Sequence, residues 1–327
     1  MEYVKLNRTN LEVSPVCLGT VNYGTELSEN DSKAQLDKFL DAGGNFIDTA
    51  QIYGAWGSGL ECYSERVIGN WLNENGNRNK VVLATKGAHP EWGFMETPRV
   101  NKSCIEKDLN GSLKLLCTDY IDLYFLHRDD INTPVEEIME CLEDARRAGK
   151  IRHYGCSNWS LLRIKEAQAY CESKGLEGFV CNQLMWSLAD INFDGLPDKT
   201  FILMDEETHK YSTQTGMNVM AYMSISKGYF TRLTNGEVLP KSITDVYNNP
   251  SNDLIFKYLK PIIDEGKYTF IDLALMYIMG ENKFTAIPIA SFDNMEQLEE
   301  CLQCMRKPIP EDVITELSKL KKFYYRE

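Results

Sequence analysis

The sequence predicts a closed (β/α)8 barrel, a TIM barrel, preceded by a short N-terminal β-hairpin. Two observations lead there. Short apolar, β-branched runs alternate with longer segments of helical period, the pattern of repeated βα units. Four of the runs also end in a residue able to handle a proton or a carbonyl oxygen. Asn45–Asp48 leads into Thr49, Ala50 and Tyr53; Val81–Thr85 ends at Lys86; Ile121–Leu126 ends at His127; Arg152–Cys156 ends at Ser157 and Asn158. Reactive groups at the carboxyl ends of successive parallel strands mark the active face of such a barrel.

The elements follow in order. Alternation over Tyr3–Leu6 and a turn near Asn7–Asn10 predict the hairpin. Eight strands are expected: Pro15–Leu18, Asn45–Asp48, Val81–Thr85, Ile121–Leu126, Ile151–Cys156, Phe179–Asn182, Asn218–Tyr222 and Phe284–Ile287. Helices are expected over Glu29–Ala42, Ser64–Asn73, Asn101–Leu116, Pro134–Ala148, Leu161–Ser173, Asp205–Thr215, Asp253–Glu265, Phe270–Met279 and Met295–Met305. Thr133 is placed to cap a helix with Pro134 at its first position, and Gly149 to stop it. Gly195–Lys199 and Asn235–Asn252 read as surface loops. No Pro/Ser-rich linker interrupts the chain, so residues 1–327 are expected to form one barrel domain. The competing doubly wound nucleotide-binding sheet lacks its signature, since no G-x-G-x-x-G or G-x-x-x-x-G-K-[ST] occurs.

Composition bounds the function. The 48 acidic and 35 basic residues give a net charge of −13, a sign that repels nucleic acid and anionic membrane, so neither partner is expected. No apolar run approaches the roughly 20 residues that cross a bilayer. Met1 leads into polar residues rather than a secretory segment, and a cytoplasmic location is expected. The ten cysteines are scattered through apolar stretches as reduced core side chains, and the close pair Cys301 and Cys304 lacks a partner pair or histidine for zinc. With four histidines and no His-x-His at a strand end, a metal-dependent hydrolase is disfavoured and no metal is expected.

The strand-end residues point to acid–base chemistry. A free tyrosine, with a pKa of about 10, donates its proton poorly at neutral pH. A lysine ammonium beside the phenol stabilises the phenolate, and an aspartate paired with that lysine keeps it charged and oriented. Lys86 and Asp48 are placed to do this for Tyr53, and His127 to hydrogen-bond a substrate carbonyl. Such a donor makes sense where hydride reaches the carbonyl carbon, because the developing alkoxide must be neutralised. Each residue taken alone reads as ordinary: Asp48 as a helix cap, Lys86 as a solvated loop residue, His127 as a satisfied core histidine, Tyr222 as packing. The joint placement of Asp48, Lys86 and His127 on three consecutive strand ends argues for function, whereas Tyr222 by itself reads as packing.

The chain resembles the aldo-keto reductases in Leu18-Gly19-Thr20, Gly44–Ala50 with Tyr53-Gly54, Ala84-Thr85-Lys86, Asp119–Tyr124, Leu126-His127, Gly149–Arg152, Gly155–Asn158, Asn182-Gln183 and Ala221-Tyr222. The resemblance spans nearly the whole chain and implies an oxidoreductase acting on CH-OH groups, with a small-molecule carbonyl substrate. It implies that Asp48, Tyr53, Lys86 and His127 form the catalytic tetrad, Tyr53 being general acid in reduction and base in oxidation. It further implies that Ser157, Asn158 and Gln183 bind the nicotinamide carboxamide, that Tyr222 stacks on the nicotinamide, and that Ser224, Ser226, Lys227 and Gly228 surround the pyrophosphate, with Ser224 where many relatives carry proline. Gly19, Thr20, Ser291, Gln297 and Glu300 complete the implied cofactor site. Ile289 and Gln297 provide no charge for a 2′-phosphate, and Lys227 or Arg232 is left to compensate. The resemblance favours NADP(H), with NAD(H) open.

Trp56, His89, Trp92, Arg128 and Trp159, with Phe94 and Arg99 near them, are candidate walls of a substrate pocket. Polar yet aromatic loops suit a hydroxylated or sugar-derived carbonyl compound. Asp129 and Asp130 read as caps of the following segment. Two other functions stay open: a nicotinamide-binding regulator with little turnover, and a barrel glycosidase using Glu91 and Asp129. The second leaves Tyr53, Lys86 and Ser157-Asn158 without roles.

Overall fold

A computed structural model describes residues 2–55, 62–91 and 93–321. Strands β1 (Val4–Lys5) and β2 (Glu12–Val13) pair antiparallel as the expected hairpin. The next eight strands are β3 (Cys17–Gly19), β4 (Phe46–Asp48), β5 (Val82–Gly87), β6 (Ile121–Leu126), β7 (Ile151–Ser157), β8 (Cys181–Met185), β9 (Asn218–Tyr222) and β10 (Ala286–Ala290). All eight run parallel and close into a barrel, in which β10 pairs with β9 on one side and returns to β3 on the other. The fold is the (β/α)8 barrel that the sequence predicts.

The helices are α1 (Glu29–Asp41), α2 (Tyr63–Asn75), α3 (Lys102–Leu115), α4 (Val135–Arg147), α5 (Leu161–Lys174), α6 (Glu206–Thr215), α7 (Tyr229–Thr234), α8 (Lys241–Tyr247), α9 (Pro250–Asp264), α10 (Phe270–Met279), α11 (Met295–Cys304) and α12 (Glu311–Leu320). Among the described residues, no helix is long and apolar enough to cross a membrane.

Several boundaries differ from expectation. The sixth and eighth barrel strands start two residues later than the apolar runs suggest and continue to Met185 and Ala290. Asn235–Asn252, read as loop, contains α8 and the start of α9, whose first turn is set by Asn249 accepting from the Asn252 amide at 2.9 Å. Pro134, not Thr133, occupies the cap position of α4; the Thr133 hydroxyl instead donates to Asp130 Oδ2 at 3.0 Å. Helices α7 and α12 were not anticipated.

Strand alternation builds the two layers. Because side chains of a strand point alternately to opposite faces, Cys17, Phe46, Ala84, Leu123, Phe125, Cys181, Met220, Ile287 and Ile289 meet inside the barrel. Leu6, Leu11 and Val13 of the hairpin join that inner cluster and plug its amino end. Their neighbours Leu18, Ile47, Leu83, Tyr124, Leu126 and Val219 face the helices, Tyr124 among them as expected. Burying each large apolar side chain contributes about 1.5–3 kcal/mol.

Candidate active site

The same alternation, carried on to the carboxyl ends, decides what faces the mouth. Two residues beyond Phe46 stands Asp48, two beyond Ala84 stands Lys86, and two beyond Phe125 stands His127. Gly19, Ser157, Gln183, Tyr222 and Ser291 have the same inward parity on their strands.

Lys86 is 1 % exposed, and each of its three ammonium protons has a partner. Nζ donates to Asp48 Oδ2 at 2.6 Å, to the Thr49 carbonyl at 2.8 Å and to Tyr53 Oη at 3.1 Å. The phenol oxygen therefore accepts from the lysine. Gln183, across the barrel on β8, donates to Asp48 Oδ1 at 2.9 Å, so both carboxylate oxygens are held. Tyr53 itself comes from the turn after β4, where its carbonyl accepts from the Ser64 amide at 3.3 Å at the start of α2. A hydroxyl hub fixes that junction: Ser64 Oγ lies 2.8 Å from Thr20 Oγ1 and 2.9 Å from Thr49 Oγ1.

Burial pushes the Asp48 carboxyl up, with Lys86 and Gln183 pulling against it. For Lys86 burial acts downward, but Asp48 and Tyr53 outweigh it and hold the ammonium above its ordinary range. Charges 2.6 Å apart keep the pair ionised at neutral pH. Burial raises the Tyr53 phenol, and Lys86 recovers only part of that. The expectation of a net acidified phenol is corrected accordingly. Tyr53 rests protonated, in the state an acid needs, and the residue is half-buried.

His127 is held far below its usual range by burial, then by His89, Arg128 and Lys86, and is a neutral imidazole. Its ring lies edge-on to Tyr53, with centroids 5.8 Å apart, and 4.7 Å from His89. His89 contacts the Pro90 carbonyl at 2.7 Å and is pushed down to about 4, chiefly by burial.

The cofactor candidates gather on the other half of the mouth. Asn158, at φ 59°, receives the Tyr222 hydroxyl at 2.6 Å and the Ile202 amide at 3.1 Å on Oδ1, and its Nδ2 donates to Ser157 Oγ at 3.1 Å. Beyond Tyr222 the chain coils tightly, with positive φ at Met223, Ser226, Lys227 and Gly228, and Ser224 Oγ donates to the Ile289 carbonyl at 2.6 Å. Gly19 leaves the floor bare, since a Cβ there would lie 2.5 Å from Ser291 Oγ and 2.9 Å from Ile289 Cγ2. Gln297 Oε1 accepts from the Asp293 amide at 2.8 Å, and Glu300 lies one turn further along α11. Lys227 is exposed, while Arg232 is engaged by Glu237 at 2.8 Å.

A profile of the Aldo/keto reductase family matches residues 15–322. The chain belongs to the aldo/keto reductase family. Uncharacterized oxidoreductase YrpG of Bacillus subtilis (strain 168) is 32% identical, covering 97% of this chain and 95% of its own. Norsolorinic acid reductase B of Dothistroma septosporum is 27% identical over 97% of this chain and 81% of its own. Among solved structures, aldo-keto reductase AKR11C1 from Bacillus halodurans (holo form) is 25% identical, with a TM-score of 0.74 over 100% of this chain and 98% of that one. An oxidoreductase of this family works on a nicotinamide cofactor and a small carbonyl substrate.

Of the expected pocket walls, one stands elsewhere and one is already engaged. Trp159 is fully buried: the left-handed turn at Asn158 redirects the chain, so the indole packs 5.0 Å from Phe179 and donates to the Arg128 carbonyl at 3.0 Å. Arg128 reaches the mouth, but its guanidinium is already engaged by Asp198 and Thr200 of the loop after β8. Sequence reading missed both partners, because they lie some seventy residues away in a stretch without periodicity. Asp129, the glycosidase candidate, pairs with Arg163 Nε at 3.2 Å, and Asp130 caps the turn at Asn132 and Thr133. Trp56 and Trp92 lie outside the described residues.

Proposed function

We propose that this protein is an NAD(P)H-dependent reductase of aldehydes or ketones, with Tyr53 as the proton donor and as the base in the reverse direction. A bound reduced nicotinamide supplies hydride to the carbonyl carbon. The residues fit such a group: bare Gly19, inward Ser157 and Gln183, and the Tyr222 ring at the mouth form a polar seat with one aromatic face. NADP(H) is favoured by the family likeness. The start of α11 argues for weak discrimination against NAD(H), because it carries Glu296, Glu299 and Glu300, and the cation meeting them, Lys38, is taken by Glu299 at 2.5 Å.

The observation that carries the reading is the committed ammonium of Lys86. With all three protons spent, it cannot rotate away from the phenol, and it stabilises negative charge on Tyr53 Oη as the proton leaves toward the substrate oxygen. Asp48 keeps the ammonium charged and aimed. Neutral His127 offers a ring N–H to the carbonyl oxygen without competing as an acid. Proton transfer from a positioned group contributes about 10²–10⁴-fold, so Tyr53→Phe should lose carbonyl reduction by that factor while keeping its NADPH affinity. Initial rates on a panel of aldehydes, beside a fluorescence titration with NADPH, check both. Loss of both in a folded variant would assign Tyr53 to cofactor binding; wild-type binding without turnover on any aldehyde would favour a regulatory protein of the same fold.

A further inference from the structure

We propose that Asp198 sets the charge selectivity of the site: by occupying the Arg128 guanidinium it makes the mouth reject carbonyl compounds bearing a carboxylate or phosphate, and the substrate is an uncharged aldehyde or ketone. The proposal rests on the reductase reading. Arg128 follows His127 directly and is 7 % exposed. Its Nη2 donates to Asp198 Oδ2 at 3.0 Å, its Nε to Thr200 Oγ1 at 2.9 Å and its Nη1 to the His127 carbonyl at 2.9 Å. Asp198 Oδ1 accepts in turn from the Thr200 amide at 2.8 Å and the Thr200 hydroxyl at 2.6 Å. The clamp belongs to the mouth. Phe201, whose ring lies 5.2 Å from the guanidinium, stands 5.8 Å from the Tyr222 ring, and the Ile202 amide donates to Asn158. The Arg128 charge acts on Tyr53, His127, His89 and Tyr222, and that of Asp198 on His89 and Tyr222.

Of the other cations of this rim, Lys199 donates to the Phe193 and Asp194 carbonyls and Lys227 stands exposed on the cofactor half, while the rest hold a carboxylate. Arg99 grips Asp108 through both Nη atoms, at 2.8 and 2.9 Å, Arg163 holds Asp129, and Lys86 holds Asp48. His89 and His127 are neutral at physiological pH. Residues 56–61 and 92 contain no Lys or Arg. Among the described residues around the mouth, every guanidinium therefore brings its own carboxylate. An anionic substrate would shed its hydration and meet a balanced charge, which is costly. Removing the Asp198 charge leaves Arg128 as an unspent fork for a carboxylate, beside the residue that receives the carbonyl.

The test compares kcat/KM for 4-nitrobenzaldehyde and 4-carboxybenzaldehyde, two aldehydes of like shape, with NADPH. The wild-type protein should prefer the neutral compound by about 100-fold. In Asp198→Asn, which preserves size and the contact to Thr200, the anionic-to-neutral ratio should rise about tenfold or more. Asp198→Glu should restore the wild-type ratio, and Arg128→Gln added to Asp198→Asn should abolish the gain. Asp198→Ala provides the same comparison with the side chain removed. An unchanged ratio in both folded variants, or equal wild-type rates on the two aldehydes, overturns the proposal. Calorimetric titration of the NADPH complex with benzoate reads the charge rule without turnover: binding confined to the Asp198 variants supports it, and equal binding overturns it. Failure of the wild-type protein to reduce either aldehyde refutes the reductase reading alone.

Discussion

Behind Lys86, on the opposite face of β5, Thr85 donates to Glu65 Oε1 at 2.6 Å. Glu65 is completely buried, and burial, reinforced by Asp108, pushes its carboxyl up to about 7 against the pull of the Thr85 and Ser112 hydroxyls and the Lys86 charge. The ordinary value is 4.5. Between the two, the folded chain binds a proton that the unfolded chain has lost, so stability falls as pH rises through that window. The loss amounts to about 3 kcal/mol for a shift of this size and is complete about one pH unit above the folded-state value. Glu65→Gln keeps the acceptor for Thr85 and removes the titration. Urea unfolding at pH 5 and pH 8 should therefore show the wild-type protein losing stability relative to the variant; parallel changes would mean that Glu65 titrates normally. At this scale the sequence was half legible. Asp48, Lys86 and His127 announced themselves because strand parity is fixed two residues ahead of them. The roles of Trp159 and Arg128 did not, since a left-handed residue or a partner from a distant loop decides where a side chain ends up.

Elements were legible where periodicity was long. The eight barrel strands are buried on both faces and read as apolar runs, whereas α7 and α8 are six and seven residues long, too short to establish a repeat. Close packing between strands depends on particular small residues. A Cβ on Gly155 of β7 would lie 2.5 Å from the Cys181 carbonyl of β8 and 2.5 Å from the Phe125 ring of β6. Gly155→Ala should thus cost about 1–3 kcal/mol through overpacking, read as a lower denaturation midpoint with unchanged cooperativity. A neutral result would mean that Phe125 has room to turn.

Taken whole, the molecule is a barrel sealed at one end and open at the other. Leu6 is completely buried among the inner residues of the barrel floor, 40 or more positions from most of its neighbours in the chain. Leu6→Ala should cost about 2–5 kcal/mol, measurable by thermal unfolding, without altering the affinity for NADPH at the far end. A change in that affinity would show that the seal and the mouth communicate. The fold class was readable in advance because reactive strand ends, parity and βα alternation agree with one another, and such agreement across levels is what specifies a single structure.

Closure has a temporal side. A ribosome has already delivered Asp48, Tyr53, Lys86 and His127 when the chain is less than half made, yet Gln183 has not arrived to brace Asp48, and Ile289 has not come back to lie beside Cys17. The four residues thus leave the ribosome well before the ring that sets their geometry, and that ring is complete only when the last stave of the cask drops into place.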